Sequence, residues 1–255
     1  MYFESHAHYD DSKFDEDRDK LIPALKEKGI EYIINVGANI KSSIKSVELA
    51  EKYDFIYAAV GVHPHDVAKL DEDDMDRLYG LSQRDKVVAI GEIGLDYYYD
   101  SSPRDIQKDW FVEQIELAKE MELPIIVHSR DAAKDTFDII KGTEAGDVGG
   151  VIHCFSGSAE MAKEYIEEGF YIGVGGIVTF TDANKIIEVV KQIPLEKILI
   201  ETDCPYLSPI PNRGKRNEST NLVYIVDKIA EIKNLSTEEV AKATLKNAKT
   251  LFDIE

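Results

Sequence analysis

The chain has 255 residues, 44% hydrophobic and 31% charged, with 49 acidic against 30 basic side chains and a formal charge of −19. This is the composition of a folded chain with ample core, and it argues against disorder and against a nonspecific polyanion binder, which presents basic surface to phosphates. No run approaches the roughly 20 apolar residues needed to span a membrane, and MYFESHAHYD lacks the basic and apolar regions of a leader, so a cytoplasmic home with no membrane partner is expected.

Apolar and β-branched runs alternate with segments of helical period along the whole chain. A weak strand in MYFESHAH precedes a helix at 15–28; IEYIINVG (30–37) precedes a helix at 41–52, and FIYAAVGV (55–62) one at 72–81. KVVAIGEIG (86–94) is followed by the clearest amphipathic segment, 104–123, with Ile106, Trp110, Ile115, Leu117 and Ala118 on one broad side and Lys108, Glu116 and Lys119 left for solvent. Then come LPIIVHS (123–129) with a helix at 132–141, GVIHCFS (150–156) with one at 159–168, FYIGVGG (170–176) with one at 182–192, and KILIETD (197–203) with one at 220–232. Ser236 and Glu239 form a capping box for a further helix.

Near-continuous apolarity is what strands buried on both faces require, and regular βα alternation requires a parallel sheet with right-handed crossovers. Eight units predict an α/β fold, a single (β/α)8 TIM barrel over 1–255 with an extra C-terminal helix; an open doubly wound sheet is the alternative. The polar residues at strand ends decide between them. His6, His8, Glu92, His128, His153 and Asp203 lie at the ends of strands 1, 4, 5, 6 and 8, and a closed barrel brings strand 1 beside strand 8 with all these ends around one mouth.

Imidazole and carboxylate gathered at the ends of buried strands have no packing rationale, whereas a bound divalent cation recovers the cost of burying them. His6 and His8, two apart, point to one face and can grip one ion. Two ions about 3.5 to 4 Å apart need a shared anionic ligand, and Glu92 on strand 4 lies between the two groups of histidines. Cys154 and Cys204 each adjoin one of these residues; extended neighbours point to opposite faces, so both are read as reduced packing thiols.

At these positions the chain resembles the TatD family of metal-dependent hydrolases, relatives of the amidohydrolases. The matching pieces are ESHAHYD, VGVHPH, IGEIGLDYYYD, PIIVHSRDA, HCFSGS and ETDCPYLSPIPNRGKRNES, in family order and spread over nearly the whole chain. Two departures occur: Glu4 stands where aspartate is usual, and Ser219 follows Glu218 where proline is usual. The resemblance implies that His6, His8 and Asp203 bind one metal, His128 and His153 the other, and Glu92 bridges them. It also implies cleavage of DNA phosphodiester bonds in the manner of a 3′–5′ exonuclease, on single strands or frayed ends.

Two divalent ions (Zn, Mn, Ni or Mg) and no organic cofactor are expected, in a monomer. A bridging hydroxide would attack while Asp203 accepts the proton as catalytic base. His63, at the end of strand 3, is read as a substrate-binding phosphate contact or proton donor, and His65 as loop. Asp96 suits either an acceptor for a ligand imidazole or a turn cap. Tyr97, Tyr98 and Tyr99 offer rings for stacking bases, at least one of them packing instead. Arg213, Lys215 and Arg216, on the irregular stretch 205–221, suggest a phosphate-facing lid. Carbon-centred hydrolysis, such as deacylation of a D-aminoacyl-tRNA, is the rival enzyme class, and a non-catalytic metal-binding barrel the rival from outside enzymes.

Overall fold

The computed structural model describes residues 1–255 apart from the side chain of Glu72. Eight parallel strands run in sequence order through one sheet: β1 Tyr2–Ala7, β2 Ile30–Val36, β3 Ile56–Val60, β4 Val87–Asp96, β5 Ile125–Arg130, β6 Gly150–Ile152, β7 Phe170–Val174 and β8 Ile198–Ile200. The helices that return the chain are α1 Arg18–Glu27, α2 Ile40–Lys52, α3 Glu72–Ser82, α4 Arg104–Glu120, α5 Ala133–Gly142, α6 Ala159–Glu167, α7 Asn184–Gln192 and α8 Leu222–Lys233. The additional α9, Thr237–Leu251, begins with the Ser236–Glu239 capping box that its sequence announces. The architecture is the expected (β/α)8 barrel with a C-terminal helix, and no described helix is long and apolar enough to cross a membrane.

The sheet closes where β8 leaves the ladder. Ala7 bridges Cys204 in parallel register, Asp203 N–H donates to the His6 carbonyl at 3.0 Å, and His8 N–H donates to the Cys204 carbonyl at 2.8 Å. Buried Glu4 reinforces this seam. Its carboxylate accepts from Thr202 N–H at 2.8 Å and Thr202 Oγ at 2.6 Å, and burial pushes its pKa up to about 7.

Two apolar layers follow from strand alternation. One lies outside, between strands and helices, and includes Ile33, Ile56, Val60, Ile90, Ile125 and Ile198. The other fills the barrel: Phe3, Ile34, Ala59, Ala89, Ile126, Val151 and Leu199, stoppered by Phe252 and Ile254 at the end of the chain, with the Phe252 ring stacked 5.9 Å from that of Phe3.

Continuing the inward parity up β3, β5, β6 and β8 arrives at His63, His128, His153 and, on β8, first Glu201 and then Asp203. On β1 and β4 the inward residues Phe3 and Ala89 are three positions from His6 and Glu92, an odd step. Register shifts between Glu4 and Ala7 and between Ile90 and Ile93 absorb it and turn both side chains into the mouth. Gly94 sits at φ +137° with space for no Cβ, which would lie 2.0 Å from the His128 carbonyl oxygen, so glycine alone lets β4 and β5 approach here.

Several boundaries differ from expectation, those of α1, α8, β6 and β8 among them. The first helix starts at Arg18 rather than near 15, because Ser12–Phe14 forms a 3-10 turn and the Arg18 guanidinium binds the carbonyls of Tyr9, Asp10 and Asp11. The eighth starts at Leu222 because Ser219–Asn221 forms another such turn. Strands β6 and β8 are three residues each, ending before His153 and Asp203, since Cys154 at φ +45° and Asp203 at φ +56° leave extended geometry. Alternation therefore does not govern Cys154 and Cys204, although Cys204 is fully buried as expected of a packing thiol.

If Glu4 fastens the seam, Glu4→Ala strands two buried Thr202 donors and should lower unfolding free energy by about 2–4 kcal/mol in urea titration, while Glu4→Gln, which can still accept, should lose much less. Equal stability of the two variants would contradict this role.

Candidate metal centre

All six residues expected at the metals converge at the C-terminal mouth of the barrel, and Glu92 lies at their centre. Its two oxygens face different partners. Oε2 lies 3.5 Å from His6 Nε2 and 3.8 Å from His8 Nε2. Oε1 lies 3.0 Å from His128 Nδ1, 3.8 Å from His153 Nε2 and 3.9 Å from His63 Nε2. Asp203 Oδ1 completes the first group, 3.3 Å from His8 Nε2 and 3.9 Å from His6 Nε2.

These separations suit an ion. Donors around a tetrahedral cation with bonds of about 2.0–2.1 Å stand about 3.3–3.4 Å apart, and His6 Nε2 and His8 Nε2 are 3.1 Å from each other. His8 Nδ1 donates to the Val36 carbonyl at 2.8 Å, which leaves the Nε2 lone pair aimed into the site. Two imidazole nitrogens cannot face one another at that distance as bare lone pairs, so a proton or a metal must stand between them. His6 Nδ1 is meanwhile buried without a partner.

The neighbouring polar groups orient these ligands. Asp96 serves both purposes open to it: Oδ2 takes His128 Nε2 at 3.1 Å and His65 Nε2 at 2.9 Å, while Oδ1 accepts from the N–H groups of Tyr98 and Tyr99 at 3.0 and 2.9 Å. His65 lies on the turn after β3, loop as expected, and its bond to Asp96 joins it to the site's surroundings. Glu201 was not among the expected residues. It is fully buried, with Oε1 3.1 Å from His153 Nδ1 and 2.5 Å from Cys154 N, and Gly173 makes room for it, since a Cβ there would stand 2.8 Å from Oε2. The signal was present in LIETD: Glu201 has the same parity as Asp203.

The electrostatics are those of a buried anionic pocket. Burial alone would lower the His8 pKa, but Asp203, Glu92 and Asp10 outweigh it and raise the value to about 9. His153 is likewise raised against its burial, to about 10, chiefly by Glu201, and His128 is raised by its bonds to Asp96 and Glu92. Burial opposes ionisation of Glu92 and Asp203, yet the surrounding imidazoles hold both below the usual carboxylate range. His63 differs. Burial drops it to about 3, and its Nδ1 accepts from the His65 N–H at 3.2 Å, which puts the proton of the neutral ring on Nε2, facing the centre.

The rim departs from expectation. Arg216 does not face the mouth as part of a lid: it makes a two-pronged pair with Asp17 at 2.8 and 2.6 Å and lies over Phe14. Tyr97 is the packing member of the tyrosine run, bonded to Asp135 and covered by Arg104, whereas Tyr98 and Tyr99 are exposed.

Comparison with known proteins shows what the whole chain is similar to. The profile of the TatD related DNase family matches residues 3–253. The chain is 49% identical over 254 residues to the uncharacterized metal-dependent hydrolase YabD of Bacillus subtilis, covering 100% of both. It is 34% identical over 248 residues to the 3′-5′ ssDNA/RNA exonuclease TatD of Citrobacter koseri, covering 95% of each. Among solved structures, YjjV, a TatD homolog from Escherichia coli K12, superposes with a TM-score of 0.93 at 32% identity, over 100% of this chain and 98% of that one. The chain belongs to the TatD family of metal-dependent hydrolases.

Proposed function

We propose that this chain is a dinuclear phosphodiesterase that removes nucleotides from the 3′ end of single-stranded DNA. The observation that carries the dinuclear reading is the division of the Glu92 oxygens between two donor groups. The DNA reading draws on the family's name and on the exonuclease name carried by the Citrobacter relative.

In this reading His6, His8 and Asp203 hold one divalent ion, His128 and His153 hold the other, and Glu92 spans both. When bound, the ions acidify a water and offset negative charge on the phosphate. Zn, Mn and Ni suit so many imidazoles better than Mg does. Asp203, kept anionic by His8, His153 and His6, accepts the proton of the attacking water as its oxygen bonds to phosphorus. The bond from phosphorus to the 3′-oxygen of the next nucleotide breaks, and the proton held by Asp203 passes to that oxygen. His63 directs a neutral Nε2–H into the centre, which suits a hydrogen bond to a nonbridging phosphate oxygen and not general-acid catalysis at pH 7. Asp96 and Glu201 fix the rings of His128 and His153.

Four measurements test this. His8 and His153, raised to about 9 and 10, carry protons at pH 7 that an ion must displace, so adding Zn²⁺ or Mn²⁺ to stripped protein in weak buffer should release protons and raise the Tm. Binding with no acidification would contradict the assigned ligands. Asp203→Asn should cut turnover by about 10²–10⁴-fold with the fold retained, and Glu201→Gln should weaken metal affinity about 10–100-fold. A 3′-labelled single strand and a carboxylic ester, offered to metal-loaded protein, separate the reaction classes: ester cleavage with no nucleotide release would refute the nuclease assignment.

A further inference from the structure

Five of the seven arginines, Arg18, Arg77, Arg84, Arg104 and Arg216, are ion-paired, as an acidic protein allows. Among the described residues the other two, Arg130 and Arg213, make no ion pair, and both lie over aromatic rings, Arg130 as the last residue of β5 and Arg213 on the stretch after β8. The Arg130 guanidinium lies 3.9 Å from the ring centre of Tyr98 and 4.9 Å from that of Tyr99, while Arg213 lies 3.9 Å from Phe180. Lys13, after β1, repeats the arrangement 4.1 Å over Tyr206, three residues beyond Asp203. A guanidinium stacked on a ring keeps its N–H fork free at the edge, the geometry suited to phosphate.

The Arg130 corner is also joined to the metal centre. Tyr98 and Tyr99 are 58% and 57% exposed, which leaves ring surface open to solvent. Their backbone N–H groups are fixed by Asp96 Oδ1, whose sister oxygen holds His128, and the Tyr99 ring is 5.2 Å from that of His65. Large open rings cost free energy in water unless something stacks on them, and their position is set by the carboxylate that orients a candidate ligand.

We propose that these groups form the track for the substrate strand: Arg130, Arg213 and Lys13 bind phosphates flanking the scissile one, and the open rings of Tyr98 and Tyr99 stack a base. The proposal rests on the nuclease reading above and specifies what the strand touches. It also gives a −19 protein a place beside the site where a polyanion would meet cations held over rings.

The test compares metal-loaded wild type with Arg130→Ala, Arg213→Ala and Tyr98→Ala on an oligothymidylate and on bis(p-nitrophenyl) phosphate, a diester with neither bases nor flanking phosphates. For each variant the ratio of kcat/KM on the strand to that on the small diester should fall about tenfold, through the KM of the strand. The wild-type slope of log kcat/KM against log salt should be about −2 for three phosphate contacts and shrink by about 0.7 in either arginine variant. Tyr98→Ala should have no further effect on a strand whose stacked nucleotide is abasic. Ratios and slopes equal to wild type in all three variants would overturn the track. Wild type that cleaves the small diester yet releases nothing from the strand would instead overturn the nuclease reading beneath it. Arg130 ends β5 and Arg213 lies on the separate stretch after β8, so misfolding of one variant leaves the other to decide.

Discussion

The arrangement of the mouth depends on one buried carboxylate shared in two directions. Glu92 is surrounded by five imidazoles from four strand ends, with Oε2 toward His6 and His8 and Oε1 toward His63, His128 and His153. An ionised carboxylate in such a position costs several kcal/mol in desolvation unless matched by positive charge. In the metal-free protein protonated imidazoles supply part of that charge: burial lowers both His8 and His153, but Asp203 and then Glu92 raise His8, and Glu201 and then Glu92 raise His153. A site that draws protons this strongly onto imidazole is already shaped for a harder competitor, a divalent ion whose binding displaces them.

Holding such a cluster together requires the barrel to tolerate local departures from regularity. The register shifts in β1 and β4, the bare Gly94 beside the His128 backbone, and the left-handed conformations of Cys154 and Asp203 all fall at strand ends that feed the site. Each left-handed non-glycine residue costs about 1–3 kcal/mol and persists because its surroundings over-determine it. For Asp203 these are the seam bond to His6 and the neighbouring Glu4–Thr202 contacts. Glu4 reaches across that seam to Thr202, so its side chain serves the closure of the barrel.

Most of the fold could be read from periodicity because each strand is buried on both faces and each helix on one, and these two constraints write distinct patterns into the residues. The six expected side chains meet because parity and closure permit one mouth. What escaped was whatever depended on a partner distant in sequence. Glu201 could have been found from its parity with Asp203, but its pairing with His153 comes from the opposite side of β7. His65 is loop as read, but its bond to Asp96 is not written in the spacing. Arg216 reads as a free cation until Asp17 meets it. Helix starts slipped by three and two residues at α1 and α8, where 3-10 turns intervene, a local competition that apolar spacing does not record.

The strong negative charge and the proposed polyanionic substrate conflict only if charge is averaged over the surface. Screening confines an exposed charge's influence to about 8 Å at physiological ionic strength, so acidic residues on outer helices act weakly at the mouth. What an approaching phosphate meets there is local: any divalent cation held by the imidazoles and carboxylates of the mouth would face it directly, whatever the sign of the distant surface. Around it stand Arg130, Arg213 and Lys13, held over rings instead of being neutralised by carboxylates. The global charge then opposes binding of nucleic acid anywhere else on the molecule. An acidic exterior is therefore compatible with the polyanionic substrate proposed, provided the positive charge that meets it is gathered at the mouth.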